Sequence, residues 1–244
     1  MSKALCYSVL CFLLTVVNGL HLPSYVKPCA LKSPDFKKCA VKHGNDAIPF
    51  LVKGDRAYGI PAFNPLRIPF VSIQAAGLHM NLTNSAFSGA ETLEVVDVDI
   101  NNETKYMELK VKSPLITLDF DYTVEGKIAS LPITGQGHGK IDIIDAEYGY
   151  LLYFELIEKD GKTYLKPGKD KITITPKSIK TDLQNLFNGN KQLGDALNQV
   201  LNDNWKELLN EFSSTISEIY GSIARSVFEK LLEKIPMDET FTDW

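Results

Sequence analysis

Residues 191–235 read KQLGDALNQVLNDNWKELLNEFSSTISEIYGSIARSVFEKLLEKI. Apolar side chains return at steps of three and four residues throughout this stretch, which is the spacing of one face of an α-helix. They are Leu193, Leu197, Leu201, Trp205, Leu208, Phe212, Ile216, Ile219, Ile223, Val227 and Leu231. A second set, which includes Tyr220 and Phe228, makes the stripe wider than a helix lying on a surface needs. The segment therefore predicts one long, enclosed helix, about 65 Å if unbroken, with a kink at Gly221.

The middle of the chain predicts the sheet that would enclose this helix. Met107, Leu109 and Val111 alternate with charged residues, and the apolar residues between Ile116 and Val124 alternate with polar ones. This two-residue period is typical of strands with one dry face. Gly126 and Asp160-Gly161 predict turns, and residues 148–157 predict a strand covered on both sides. Because the connections are too short for helical crossovers, we expect an antiparallel meander.

These two patterns together predict the α+β class. We expect a single elongated domain in which a strongly curved antiparallel β-sheet is wrapped around one long C-terminal α-helix. Residues 33–54 predict a separate first helix, with Ser33 as its cap, Pro34 in its first turn and a kink or early end at Pro49. The proline-rich residues 59–69 predict extended chain.

The composition of the chain argues against some classes of binding partner. The chain has 244 residues, of which 44% are hydrophobic and 23% charged, so it can bury a sizeable core. A formal net charge of -4 argues against a nucleic-acid partner, which requires clustered positive charge. No interior segment is apolar for long enough to span a bilayer, so we expect no stable membrane insertion. We expect a monomer.

The first residues have the features of a secretory signal. Met1-Ser2-Lys3 is positively charged, and an apolar run of about fourteen residues follows it. Small residues at Val17 and Gly19 predict cleavage after Gly19, which leaves residues 20–244 as the mature domain. A membrane anchor is the alternative, but the run is short for a span. We therefore expect a secreted, extracellular protein.

Secretion determines how the cysteines and the glycosylation motifs are interpreted. Cleavage removes Cys6 and Cys11, so Cys29 and Cys39 remain in an oxidising compartment and predict one disulfide. A reactive or metal-binding pair is the alternative, although no further soft ligand lies near them in sequence. Asn81-Leu82-Thr83 and Asn102-Glu103-Thr104 are glycosylation motifs.

The sequence gives little support for catalysis. The four histidines are far apart and have no metal-ligand spacing, so we expect neither a metal nor a cofactor. The stretch from Gly135 to Lys140 lacks the spacing and the Ser or Thr of a phosphate loop, and its glycines favour a sharply bent strand. Asp119 and Asp121 share a strand face, but that face is the polar one. We expect no enzyme.

The apolar interior is the remaining candidate for a site. If a long sheet wraps an apolar helix, gaps between the layers could hold an elongated hydrophobic ligand. A fully packed core is the alternative, and the composition does not distinguish the two. Our candidates for lining residues are Phe120, Tyr122 and Phe154 on the sheet and Phe212, Ile216, Ile219, Tyr220, Ile223 and Phe228 on the helix.

The segment from Leu22 to Cys29, the proline-rich residues 59–69 and residues 183–198 together resemble the takeout and juvenile-hormone-binding proteins of insects. The N-terminal Leu22-Pro23-Ser24-Tyr25-Val26-Lys27-Pro28-Cys29 and the proline-rich residues 59–69 are similar to segments of that family. The most specific match is residues 183–198, LQNLFNGNKQLGDALN, followed by Asn204-Trp205 and Ile235-Pro236-Met237-Asp238-Glu239. With a single cysteine pair in the mature chain, the sequence looks more like takeout than like the hormone carriers, which typically have a second disulfide.

The resemblance implies a tubular lipid-binding fold with an internal hydrophobic tunnel. It also implies a non-enzymatic carrier of small hydrophobic ligands, such as a juvenile-hormone-like terpenoid, a fatty acid or another lipid. Takeout-like proteins are associated with circadian, feeding and chemosensory physiology. A second hypothesis is a secreted signalling or interaction protein with a filled core and a surface that binds a receptor.

Overall fold

A computed structural model describes residues 21–75, 77–128 and 131–244. In these ranges the helices are α1 (Phe36–Leu51), α2 (Lys191–Asp203), α3 (Trp205–Leu232) and α4 (Met237–Thr240). The strands are β1 (Leu66–Ala75), β2 (Leu78–Ser88), β3 (Glu94–Asn101), β4 (Tyr106–Ile128), β5 (Leu131–Lys159) and β6 (Lys162–Leu183). The predicted signal peptide, residues 1–19, lies outside the described residues.

The described strands form one antiparallel sheet with the order β1-β2-β4-β5-β6. β3 pairs with the first part of β4, and β2 pairs with the second part of the same strand. α3 contacts both β6 and β1, which are the two ends of the order. A sheet whose two ends contact the same helix must curl around it. The predicted α+β fold, a curved antiparallel sheet wrapped around a C-terminal helix, is confirmed.

Along one row of residues, the alternation of inward-facing and outward-facing side chains in the sheet shifts by one position. In β4 the side chains that face the interior have odd numbers up to Val111 and even numbers from Ile116. The same shift occurs in β5 between Ile143 and Tyr148, and in β6 between Ile174 and Ile179. The pairing places Pro114, Asp145 and Lys177 on one row across the three strands, and Asp145 has a φ of 47°. The two separate alternating runs in the sequence therefore belong to a single strand.

The C-terminal helix is not continuous, contrary to the expectation from its apolar period. Asn204 leaves the helical conformation, with φ -111° and ψ 25°, and separates α2 from α3. Its side-chain amide donates to the carbonyl oxygen of Val200 at 2.7 Å, and such local bonds compete with helix continuation. Gly221 lies inside α3 without ending it, and a Cβ at Gly221 would lie 3.2 Å from the Asp170 carboxylate.

The turn predictions had mixed outcomes. Asp160 and Gly161 form the tight turn between β5 and β6 with φ values of 53° and 73°, as predicted. Gly126 is not a turn: it lies within β4, where a Cβ would be 2.2 Å from the carbonyl oxygen of Gly77. Residues 148–157 are not covered on both sides, since Tyr153 is 49% exposed. The first helix begins at Phe36 and contains Pro49 in its last turn.

Two packed cores occupy opposite ends of the domain. The first contains the second half of β4, from Leu118 to Ile128, together with residues of β2 and α2. The second contains residues near the chain termini, including Cys29, Phe36 and Phe241, and Met107 at the start of β4 packs against it. Within the described ranges, none of the helices combines the length and the apolar character needed to cross a lipid bilayer.

Candidate ligand cavity

A cavity of about 420 Å³ lies between the inner face of the sheet and the C-terminal helices. Its sheet side includes Leu109, Val111, Ile116, Leu118 and Phe120 of β4, and its helix side includes Leu208, Phe212, Ile216, Ile219 and Tyr220 of α3. The shift in the alternation of the long strands makes this continuous apolar wall, because it keeps the apolar side chains on the inside of both halves. The volume is in the range of pockets for small ligands.

A tyrosine supplies an available polar group in the wall of this cavity. The hydroxyl of Tyr148 is buried and has no hydrogen-bond partner among the described residues. Burial raises the pKa of Tyr148 above its ordinary value of 10.0, so the phenol stays neutral at physiological pH. A buried hydroxyl without a partner carries a desolvation cost, which a ligand oxygen could relieve by accepting a hydrogen bond from it. The alternating pattern of β5 did not single out this residue.

Five of the nine candidate lining residues face the cavity, and four do not. Phe120, Phe212, Ile216, Ile219 and Tyr220 line it, whereas Tyr122, Phe154, Ile223 and Phe228 lie outside it. Tyr122 is in the first core and donates to the carbonyl oxygen of Gln184 at 2.7 Å. Phe154 is in the second core, and Phe228 stacks on Tyr150 with the ring centroids 5.2 Å apart. The apolar pattern runs through both cores, which is why it did not separate core residues from cavity residues.

The cysteines form the predicted disulfide, Cys29–Cys39. His43 lies beside it, and the candidate ligand atoms of Cys29, Cys39 and His43 are within 4.8 Å of one another. Because the two sulfur atoms are bonded to each other, they are not available as thiolate ligands for a metal. Asn81 in β2 and Asn102 in the turn before β4 are both exposed, as a glycan would require.

The acidic residues considered for catalysis lie on the outer face of the sheet. Asp119 and Asp121 flank His138, at 3.5 Å from its Nε2 and Nδ1 respectively, and all three side chains are about half exposed. Hydrogen bonds from Asn84 and then from His138 lower the pKa of Asp121. The glycines beside His138 make room for neighbouring chain: a Cβ at Gly137 would lie 2.3 Å from the carbonyl oxygen of Gln184.

Asparagines attach the helices to the edges of the sheet, a role that the sequence reasoning missed. Asn198 of α2 accepts from the N–H of Leu183 at 2.9 Å and donates to its C=O at 2.9 Å. Asn202, one turn later, makes the same pair of bonds with Thr181, at 2.7 and 2.8 Å. Asn45 of α1 does so with Val95 of β3. The signal in the sequence is the four-residue spacing of Asn198 and Asn202, which places both amides on one helix face.

The chain matches the haemolymph juvenile hormone binding protein (JHBP) family over residues 8–242. It belongs to this family. The JHBP family is one of binding proteins, and its fold is that of a carrier of hormones or lipids. The chain is also similar to circadian clock-controlled protein daywake from Drosophila melanogaster, with 27% identity over 90% of this chain and 88% of that protein. The Drosophila yakuba daywake protein is 26% identical over the same shares.

A solved structure supports the architecture independently of the family match. The crystal structure of Epiphyas postvittana Takeout 1 superposes with a TM-score of 0.79 at 26% identity and covers 88% of this chain and 98% of that one. The curled sheet and the C-terminal helix are therefore the fold of this JHBP family member.

Proposed function

We propose that this protein is a secreted, monomeric carrier that binds a small hydrophobic ligand in the internal cavity. The observation that carries the proposal is an apolar cavity of about 420 Å³ whose wall includes the buried hydroxyl of Tyr148, which has no hydrogen-bond partner among the described residues. The ligand class is a juvenile-hormone-like terpenoid, a fatty acid or another lipid with an oxygen that accepts a hydrogen bond. The family match and the similarity to Takeout 1 support a carrier.

Apolar burial supplies the main driving force for binding. Transferring about ten methylene groups from water at about 0.8 kcal/mol each gives about 8 kcal/mol, which corresponds to micromolar binding before the costs of association. No charged anchor is needed inside such a cavity. A hydrogen bond from a tyrosine would add orientation more than affinity, since its net contribution is about 1 kcal/mol.

Filling the cavity provides a direct test. Val111 lines the cavity, and its neighbour Lys112 points to the outer face and is 54% exposed. We expect Val111→Trp to abolish binding of a fluorescent fatty-acid probe, because the indole occupies the ligand's volume. Lys112→Trp adds the same side chain outside and should bind as the wild type does. Equal binding by both variants, with unchanged folding, would contradict the proposal.

Secretion and physiology are further parts of the same proposal. We propose cleavage after Gly19 and glycans on Asn81 and Asn102. N-terminal sequencing that begins at Leu20, together with a mass loss on deglycosylation, would support both; an intact N-terminus would refute cleavage. The clock-controlled relatives support a role in circadian, feeding or chemosensory physiology, which transcript measurements through a day–night cycle would test.

A further inference from the structure

A second depression lies beside the cavity, between strand β6 and helix α3. It has a volume of about 790 Å³ and is bounded by residues 170–175 of β6 and by residues of α3 from Leu209 to Arg225. Its wall surface is more polar than that of the cavity and includes the hydroxyl groups of Ser213, Ser214 and Ser217. We call this depression the β6–α3 groove.

The groove and the cavity have a wall in common. Ile172, Ile174, Leu209 and Ile216 line both of them. These four aliphatic side chains therefore separate the apolar interior from a groove with hydroxyl groups in its wall. A displacement of α3 away from β6 would join the two spaces.

The other boundaries of the cavity are closed by strand pairing or by the packing of apolar side chains. The ladders of main-chain hydrogen bonds close the seams between neighbouring strands, and packed cores occupy both ends of the domain. On the opposite side of α3, Phe212 and Ile219 pack against the core that includes residues of β1 and β2. Opening any of these boundaries would break several bonds or expose a packed core.

The seam between β6 and the helices is bonded unevenly. In α2, Asn198 and Asn202 make four hydrogen bonds to the edge of β6. Along the groove, α3 makes one hydrogen bond to β6 among the described residues: the N–H of Ile172 donates to Ser217 Oγ at 3.1 Å. Farther along, Arg225 is paired with Asp170, whose side chain is 5% exposed and also accepts from the Tyr150 hydroxyl. The middle of α3 thus lies between two anchors, and among the described residues one side-chain hydrogen bond joins it to β6 there, beside the apolar contacts of the shared wall.

We propose that the β6–α3 groove is the lateral entrance of the cavity and that the bond from Ile172 to Ser217 is its latch. The proposal rests on the proposed function, since it assumes that the cavity takes up a ligand. A hydrophobic chain would pass between the four shared aliphatic side chains while α3 is displaced, and the two anchors would return the helix. In this mechanism the seam is closed both before and after the ligand enters, so the latch affects the barrier and not the affinity.

Stopped-flow measurement of a dansyl-labelled fatty acid tests the entrance. Ser217→Ala removes the latch, and we expect the association and dissociation rate constants to rise together by about 2- to 10-fold, the range for loss of one hydrogen bond, with Kd unchanged. Ser217→Thr keeps the hydroxyl and should retain the wild-type rates. Ser214→Trp places bulk in the groove and should slow both rate constants by about 10-fold or more. The matched controls are Ser222→Ala and Ser222→Trp, because Ser222 is exposed on α3, lies outside the groove and bonds to the carbonyl oxygen of Ile219 on its own helix.

The outcomes separate this proposal from the proposed function. Parallel changes of both rate constants in the Ser217 and Ser214 variants, and none in the Ser222 variants, support a lateral entrance. Unchanged rate constants, or a changed Kd with only one rate constant affected, overturn it while leaving the carrier function intact. If the wild type takes up no probe, the carrier function itself is wrong.

Discussion

At the scale of single residues, Tyr148 is the one whose substitution tests ligand chemistry most directly. Its buried hydroxyl has no partner in the part of the chain that the structure describes, so Tyr148→Phe should leave the melting temperature of the ligand-free protein unchanged or raise it. For a ligand that carries an acceptor oxygen, we expect the affinity to fall by up to about tenfold, since one hydrogen bond is lost. Titration calorimetry or probe displacement measures this.

A ligand without oxygen is the control for this substitution. A hydrocarbon of similar length should bind equally well to the wild type and to Tyr148→Phe, because neither complex contains the hydrogen bond. The interpretation fails if the substitution weakens both ligands equally, or weakens neither.

Tyr148 should also affect the stability of the protein at alkaline pH. Burial raises the pKa of Tyr148, whereas in the unfolded chain a tyrosine titrates near 10. Above about pH 10 the unfolded state loses this proton while the folded state keeps it, so the free energy of unfolding falls as the pH rises. Between pH 9 and 11, the melting temperature of Tyr148→Phe should therefore fall less than that of the wild type. Tyr153→Phe, at an exposed position, should behave as the wild type does.

At the scale of secondary-structure elements, the asparagines of α2 determine where the helix is fixed. Asn198→Leu keeps the approximate size but leaves the N–H and C=O of Leu183 without their partners, and Leu183 is only 5% exposed. We expect a loss of about 2–3 kcal/mol in the free energy of unfolding and faster hydrogen exchange at the Leu183 amide. Gln199→Leu, on the exposed face of the same helix, should be nearly neutral. Equal stability of the two variants would refute an anchoring role.

The elements show which patterns in the sequence were informative. The three- and four-residue period of α3 and the Asp160-Gly161 turn have local causes, so the sequence predicted both. The break at Asn204 escaped prediction because the apolar period continues across it from Leu201 to Leu208. In the sequence, the shift from odd to even positions between Val111 and Ile116 shows only as two alternating runs, since a kink shared by three strands depends on partners that are distant in sequence.

The cavity could be predicted only in outline. Ile216 faces the cavity and Ile223 lies outside it, yet both belong to the same helical stripe. Whether an apolar residue faces a space or a neighbour depends on the distance between layers, and the hydrophobic pattern contains no information about that distance. Whether the Tyr148 hydroxyl finds a hydrogen-bond partner likewise depends on its neighbours in the folded structure, which the sequence pattern does not reveal.

At the scale of the whole molecule, the disulfide belongs to the core that joins the two termini. The C=O of Cys29 accepts from the N–H of Thr242 at 3.1 Å, and Asp243 accepts from the N–H of Leu31 at 2.6 Å. Replacing Cys29 and Cys39 together by Ala should destabilise the fold by about 2–3 kcal/mol, which lowers the melting temperature by about 5–10 °C in a domain of this size. The Kd for a probe should stay unchanged, because neither residue lines the cavity.

Chemical reduction of the wild type offers an independent measurement of the same contribution. The reduced protein and the double variant should melt at similar temperatures. An unchanged melting temperature in both would show that the contacts between the termini, and not the covalent bond, hold this end together.

The row of Pro114, Asp145 and Lys177 constrains how this molecule can vary in length. A residue inserted into β4 alone would turn every side chain beyond it to the opposite face, because strand side chains alternate. Hydrophobic groups would then point into water along half of a strand of 23 residues. Unless a bulge absorbs the extra residue, as one does between Leu152 and Phe154 in the pairing of β5 with β6, the three strands can therefore gain or lose residues only at matched positions. Relatives of different length should differ in loops such as residues 102–105, and gene variants with a single-codon insertion in one of these strands should fail to fold.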